Sequence, residues 1–491
     1  MRILFATSEV APLIKTGGLA DVSAALPHAL HQMGMDVHVL TPGYPQVLKA
    51  LPHLKAVAEF HALPGFPGAR LLEGKLPSGV PLWVIECPEL YQRGGSPYQD
   101  EHGMNWMDNS QRFGLLSKVA AMLGSSDTPL DWKAQVVHCN DWQTALAPAY
   151  LRFASDAAPS VMAIHNLAFQ GIFPPHTTME LGLPMECFQM EGVEFYGNLS
   201  FLKAGLHYAD HITTVSPSYA EEIQTDEMGF GLQGLLASRR ETLTGIVNGI
   251  DTEEWNPATD PSLARNYDAK DLVGKVANKL ELQKRMGLQQ DPDIPLFGLV
   301  SRFTHQKGLD LVLEIVPQLA ELPAQLALLG TGDAGIQRLA LELSHRYSGQ
   351  ANAYVGFDEN LSHLIEAGAD IFLMPSRFEP CGLNQMFSQR YGTPPVVHAT
   401  GGLKDTVVDC TEETLASGEA SGFTFQVADA PSLWATVQRA VAAYHDKKTW
   451  EALQRNGMAR DFGWEKSATA YRHIYERLVR RHFPFMSRKT K

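Results

Sequence analysis

Short runs dense in Val, Ile, Leu and Ala alternate with longer stretches of helical periodicity along almost the whole chain. The apolar runs predict strands over residues 2–7, 37–40, 81–86, 135–139, 160–164, 211–215 and 243–247, then over 295–300, 324–329, 351–355, 370–374 and 395–398. Most lack the alternation of a strand with one wet face, which is the signature of parallel strands covered on both sides. Residues 19–34, 105–123, 142–153, 269–286 and 307–319 carry helical patterns between them. The alternation predicts right-handed βαβ units and an α/β fold of doubly wound parallel sheets.

The strands are too many for one sheet of usual width. The series breaks after Val247, where Asn248-Gly249 reads as a turn and Asn256-Pro257 as an interruption. Two Rossmann-like domains are expected, over 1–247 and 248–463, facing each other across a cleft; the pattern alone assigns a last helix, over 464–481, to neither. Ligands of open α/β sheets bind at the carboxyl ends of strands, where helix N-termini present free N–H groups. Candidate chemistry therefore belongs at the strand-to-helix junctions.

Composition narrows the picture. A net charge of -14 argues against a general binder of nucleic acid or anionic membrane, while leaving room for a local anion site. The basic C-terminal residues Arg480, Arg481, Arg488, Lys489 and Lys491 read as a solvated tail. Cys87, Cys139, Cys187, Cys381 and Cys410 are odd in number and widely spaced, which fits a reducing compartment and no zinc-ribbon pattern. Glu9 precedes any long apolar run and no window approaches a membrane span, so a cytoplasmic protein is expected.

At the first junction Gly17 and Gly18 precede a helix, with Lys15 adding a full charge. Two later junctions place Asn140-Asp141-Trp142 and His165-Asn166 directly after apolar strands. In the second half, Arg302 and Lys307 lie five residues apart between a strand and a helix, a planar fork and a point charge suited to phosphate. Glu379 follows another strand and is placed to accept from sugar hydroxyls, with the amides of Gly382, Leu383 and Asn384 available to a diphosphate. Thr400-Gly401-Gly402-Leu403 marks a further glycine turn. Competing with these, residues 330–335 form a G-x-G-x-x-G after a strand, with Asp358 downstream, the fingerprint of an NAD-dependent oxidoreductase. That unit is not the first βαβ of its domain, and hydride transfer gives Arg302 and Lys307 no task.

Taken together, K-T-G-G-L-A-D, H-N-L-A-x-Q-G, S-R-x-x-x-Q-K-G, P-S-R-F-E-P-C-G-L and T-G-G-L-x-D-T-V resemble, in order, bacterial glycogen synthases and plant starch synthases. The resemblance covers about residues 1–480. It implies the two-Rossmann-domain GT-B architecture, with the final helix packing back on the N-terminal domain. It implies retaining transfer of glucose from ADP-glucose to the non-reducing end of an α-1,4-glucan, with no metal or other cofactor. Carried onto this chain, Lys15 and Gly18 approach the donor, His165 contacts the glucose near its primary hydroxyl, and Asp141 supports that side. Arg302 and Lys307 neutralise the diphosphate, Glu379 holds glucose hydroxyls, and Cys381, Gly382, Leu383 and Asn384 lie beside sugar and phosphate. Asn248 joins the donor-binding set, Phe357 is placed to stack on adenine, and Tyr98 falls where the glucan acceptor is met. Asn384 stands where these enzymes often have Thr, and Phe357 where they often have Tyr. Another donor or acceptor on the same architecture, a glucan-binding protein without catalysis, and the oxidoreductase stay as alternatives.

Overall fold

Apolar runs become strands here because both faces of each are buried. In the computed structural model, which describes residues 1–61 and 63–483, Val136–Asn140 and Ser160–Ile164 are buried at every position. Arg488, Lys489 and Lys491 of the basic tail lie outside the described residues. The chain divides into two units, Met1–Gly249 joined by the segment from Trp464 onward, and Ile250–Gly463.

In the first unit the strands are β1 (Arg2–Ala6), β2 (Asp36–Pro42), β3 (Lys55–Phe60), β4 (Ala69–Lys75), β5 (Pro81–Glu86), β6 (Val136–Asn140), β7 (Ser160–Ile164), β8 (Ile172–Phe173), β9 (Glu194–Phe195), β10 (Asn198–Ser200), β11 (His211–Thr214) and β12 (Leu243–Gly245). Nine of them form one sheet in the order β12-β11-β7-β6-β1-β2-β5-β4-β3, and β8-β10-β9 form a small separate sheet. The large sheet is mixed rather than purely parallel: β3 pairs antiparallel with β4, and β4 with β5. Periodicity misses this edge because charged residues such as Lys55, Glu59, Arg70, Glu73 and Lys75 interrupt it. Half-wet edge strands of this kind carry no continuous apolar run. The helix expected over 142–153 is broken into a 3₁₀ turn, Trp142–Thr144, and Ala147–Arg152.

The second unit contains β13 (Leu296–Val300), β14 (Gln325–Gly330), β15 (Ala351–Val355), β16 (Ile371–Met374), β17 (Pro395–His398) and β18 (Phe423–Phe425), all parallel, in the order β15-β14-β13-β16-β17-β18. Alternate residues feed two cores. Phe297, Leu299, Leu326, Leu328, Ile371 and Leu373 pack on one face, and Leu296, Ala327, Leu329, Phe372 and Met374 on the other. A sheet covered on both faces is what unbroken apolar strands require.

The C-terminal helix Trp464–His482 belongs to the first unit. It buries Trp464, Ala468, Tyr471, Ile474, Tyr475 and Leu478 on one stripe, and the Tyr475 hydroxyl meets His138 Nδ1 at 2.7 Å. All five cysteines are free thiols. No helix among the described residues is long and apolar enough to cross a membrane.

Candidate active site

Each large sheet reverses its strand order beside its first strand, and ligands of open sheets bind outside the carboxyl ends at that point. In the first unit the reversal lies between β1 and β6, and the neighbouring exits of β1, β6 and β7 carry Lys15 and Gly18, Asp141, and His165. In the second unit it lies between β13 and β16, whose exits carry Arg302 with Lys307 and Glu379. Topology thus brings these seven expected residues to the switch points of their own sheets. It does not do so for Asn248, in the loop after edge strand β12, or for Phe357, after edge strand β15. Asn248 is buried with its side-chain oxygen unpartnered, and Phe357 is 83% exposed.

At the β1 exit, Glu9 organises the loop. It is 3% exposed, and its carboxylate accepts from the Thr16 amide at 2.5 Å, the Thr16 hydroxyl at 2.6 Å and the Gly17 amide at 3.3 Å. The Tyr98 hydroxyl donates to the same carboxylate and lies 2.9 Å from Ser8 Oγ, so the expected acceptor residue is tied to the donor loop. Burial beside Glu9 holds the Tyr98 phenol well above its ordinary pKa. Gly17 provides no side-chain cap for the helix Gly18–Gln32, leaving its N-terminus open. Lys15 is half-exposed and pairs with Asp21 at 2.8 Å.

Asp141 adopts φ 56, a costly conformation for a residue with a side chain. That turn aims its carboxylate at the next strand exit, where Oδ1 accepts from the His165 amide at 2.7 Å and the Asn166 amide at 3.4 Å. Burial pushes the Asp141 carboxyl up to about 7, against the opposing effect of those amides. Burial pushes the His165 imidazole down to about 4, so the ring is neutral at physiological pH.

In the second unit, Lys307 Nζ meets Glu379 Oε2 at 2.5 Å, with the side chains 19% and 7% exposed, and Ser376 Oγ donates to the same oxygen at 3.0 Å. Arg302 is exposed at the β13 exit and makes no ion pair among the described residues. The neighbouring Arg377 is spent on structure, bridging Asp310 at 2.7 and 2.8 Å and the His305 carbonyl at 2.6 Å. Asn384, the departure from Thr, donates from Nδ2 to the Val300 carbonyl at 2.6 Å and so ties the β13 exit to its own helix. Cys381 is buried, and Gly382 has φ +73.

The G-x-G-x-x-G segment has a packing explanation. A Cβ at Gly330 would lie 1.8 Å from the Ser301 carbonyl, and one at Gly332 would lie 2.4 Å from that of Phe303. The amides that would greet a pyrophosphate are occupied, because Asp333 caps the helix by accepting from Gly335 and Ile336 at 2.8 and 3.0 Å. Asp358 caps the next helix and pairs with Arg285 at 2.6 Å, which removes the ribose ligand of the fingerprint. Glu254, Glu359 and His363 bring three donor atoms within 4.8 Å of one another, but two are exposed carboxylates and His363 Nδ1 is held by Asp260 at 2.7 Å.

The sequence names Asn140 and Ser376 within motifs but assigns neither a role, and it assigns none to Glu9. Glu9 counts in the sequence only as a charge ahead of any long apolar run.

A family model described as the starch synthase catalytic domain matches residues 2–238, and one described as glycosyl transferases group 1 matches residues 281–456. The chain is 57% identical over 484 residues to a glycogen synthase of Nitrosospira multiformis, covering 98% of this chain and 97% of that one. It is 58% identical over 489 residues to a glycogen synthase of Nitrosomonas eutropha, covering 99% and 97%. Among solved structures, the catalytic domain of starch synthase IV from Arabidopsis thaliana, bound to ADP and acarbose, superposes with a TM-score of 0.85 at 33% identity over 97% of this chain and 99% of that one. Sucrose-phosphate synthase from Thermosynechococcus elongatus shares the fold at a TM-score of 0.60 and 18% identity, over 97% of this chain and 98% of that one.

Proposed function

The chain belongs to the family of bacterial glycogen synthases and plant starch synthases, and on that footing we propose that it moves glucose from ADP-glucose to the non-reducing end of an α-1,4-glucan with retention of configuration. It is a glycosyltransferase of glycogen synthesis. The adenine nucleotide is supported by the ADP held in the Arabidopsis relative. The observation that carries the reading is the Lys307–Glu379 pair at a switch point, a cation for a diphosphate beside a carboxylate for sugar hydroxyls.

Arg302 and Lys307 stabilise the charge that develops on the leaving diphosphate, without a metal. Glu379 fixes glucose hydroxyls, and neutral His165 faces the sugar near its primary hydroxyl. The acceptor oxygen bonds C1 as the C1–O bond to the β-phosphate breaks, the electron pair leaves with ADP, and a phosphate oxygen takes the acceptor's proton. A double-displacement route would need a free carboxylate nucleophile. In each unit the carboxylates at the switch point hold local structure: Glu9 accepts from Thr16, Gly17 and Tyr98, Asp141 from two amides, and Glu379 meets Lys307 and Ser376. Retention by reaction on one face, with the leaving phosphate as base, is the route proposed.

The test is incorporation of labelled glucose into glycogen from ADP-glucose, with UDP-glucose and a chelator in parallel. Chelator-insensitive transfer from ADP-glucose is expected. No transfer from either donor by folded protein would overturn the assignment, and preferential transfer from UDP-glucose would overturn the donor.

A further inference from the structure

Asn140, the last residue of β6, is 1% exposed and held on three sides. Its amide N–H donates to Thr144 Oγ1 at 2.6 Å, and that hydroxyl donates to the Asn140 carbonyl at 2.9 Å. Its side-chain Nδ2 donates to the Ala6 carbonyl, at the end of β1, at 2.9 Å. The opposite rotation of the amide would set two oxygens against each other across that distance, so Oδ1 is the atom turned outward. It lies 2.9 Å from His165 Nε2. An amide oxygen only accepts, and the ring nitrogen opposite it must carry the proton.

We propose that Asn140 is a positioning residue that locks His165 in the neutral Nε2–H tautomer, so that Nδ1 meets the donor sugar as a hydrogen-bond acceptor. The histidine is then gripped at both ends: Asp141 accepts from its backbone amide at 2.7 Å and Asn140 from its ring. Nδ1 takes no partner among the described residues. A sugar hydroxyl donating to Nδ1 gains electron density on its oxygen, which favours the cationic character developing at the ring in the transition state. A proton on Nδ1 would do the reverse. The titratable groups around His165 are His138, two residues before Asn140 on the same face of β6, and Asp141; Glu9 acts on Asp141 in turn. His138 is neutral and its Nδ1 is engaged by the Tyr475 hydroxyl, while the Asn140 side chain also acts on this ring, so the amide oxygen faces two imidazoles and can meet each only as an acceptor.

This inference rests on the glucosyl-transfer reading for its consequence but not for its first test. Ring-nitrogen NMR of the full-length protein labelled with ¹⁵N-histidine reports the tautomer directly, the His165 signals being those lost in His165→Ala. A protonated Nε2 and a pyridine-like Nδ1, unchanged from pH 8 to pH 5, are expected. Asn140→Ala should give mixed tautomers and lower kcat by between about ten- and a hundredfold, the scale on which a misaligned group costs turnover, with KM for ADP-glucose little changed. Asn140→Asp keeps an acceptor of the same size and adds negative charge, so His165 should protonate at higher pH and the acid limb of the kcat profile should move up with it. An Nδ1–H tautomer in the wild-type protein, or ring signals unmoved in both variants, overturns the proposal. If Asn140→Ala does not fold, the wild-type spectrum and Asn140→Asp still decide it. Wild-type protein that shows the expected tautomer yet transfers no glucose would instead sink the functional reading.

Discussion

Lys307 and Glu379 compensate each other while largely removed from water, so neither can be deleted as an isolated charge. Glu379→Ala leaves Lys307 without its partner and Ser376 Oγ without its acceptor, and is expected to lower both thermal stability and turnover. Lys307→Ala removes preorganised positive charge from the leaving group, and kcat/KM for ADP-glucose should fall by about a hundredfold or more. Steady-state kinetics beside a melting curve separates the two effects. Turnover nearly unchanged in Glu379→Ala would remove that residue from the site. At this scale the sequence was legible where a polar group closely follows an apolar strand, as for Asp141, His165 and Arg302, or stands within the loop that follows it, as for Glu379. It was opaque where a side chain acts through a partner distant in the chain. Glu9 meets Tyr98 across 89 residues and Asn140 meets His165 across 25, and no local pattern encodes either pairing.

Turns and helices hold these groups in place. A Cβ on Gly401, which has φ +46, would lie 2.0 Å from the Glu379 carbonyl, and one on Gly402 would lie 2.1 Å from that of Cys381. The glycine pair thus lets the start of the helix Gly401–Thr406 lie directly against the loop bearing Glu379. Gly401 is the buried first residue of the helix Gly401–Thr406, so Gly401→Ala is expected to displace Glu379, cut turnover and lower thermal stability; circular dichroism with kinetics checks it. On the C-terminal helix, Tyr475→Phe strips His138 of its Nδ1 partner and leaves the Asn140 side chain acting on the buried ring. A buried imidazole nitrogen left unpaired should cost roughly 1–3 kcal/mol, measurable by denaturant unfolding. Elements were readable in proportion to their burial. The second sheet, apolar on both faces, shows its strands plainly apart from three-residue β18, whereas the wet hairpin β3–β4 and the two- and three-residue strands β8 to β10 do not reach the length or contrast that periodicity needs. The G-x-G-x-x-G shows the converse, a chemical pattern that close backbone packing explains.

On the scale of the whole molecule, buried titratable groups gather unevenly, and this predicts how the protein responds to acid. Burial pushes His138 down to about 3, His165 to about 4 and His211 to about 4, all three in the first unit. Each ring protonates near 6.5 once unfolded but stays neutral in the fold until pH nears 4, so the unfolded state binds more protons in that window. Stability must fall as pH drops from 6.5 toward 4. Asp141 opposes this: its folded carboxyl, pushed up to about 7, keeps a proton that the unfolded chain releases near 3.8, a contribution present at low pH and lost as pH rises through 7. His38 and His207 are also shifted down by burial and add to the loss, whereas the buried carboxyls Glu366 and Asp370 are shifted up and oppose it with Asp141; five histidines against three carboxyls leave the net direction toward unfolding as pH falls. Calorimetry from pH 4.5 to 6.5 should therefore show the melting temperature rising with pH. Asp141→Asn keeps an acceptor for the His165 amide while deleting the opposing titration, so its slope should be steeper by about one proton, and its stability above pH 7 should exceed that of the parent protein. A flat profile in both proteins would mean that these histidines are not held neutral, and would withdraw the neutral imidazole from which the acceptor role of His165 follows.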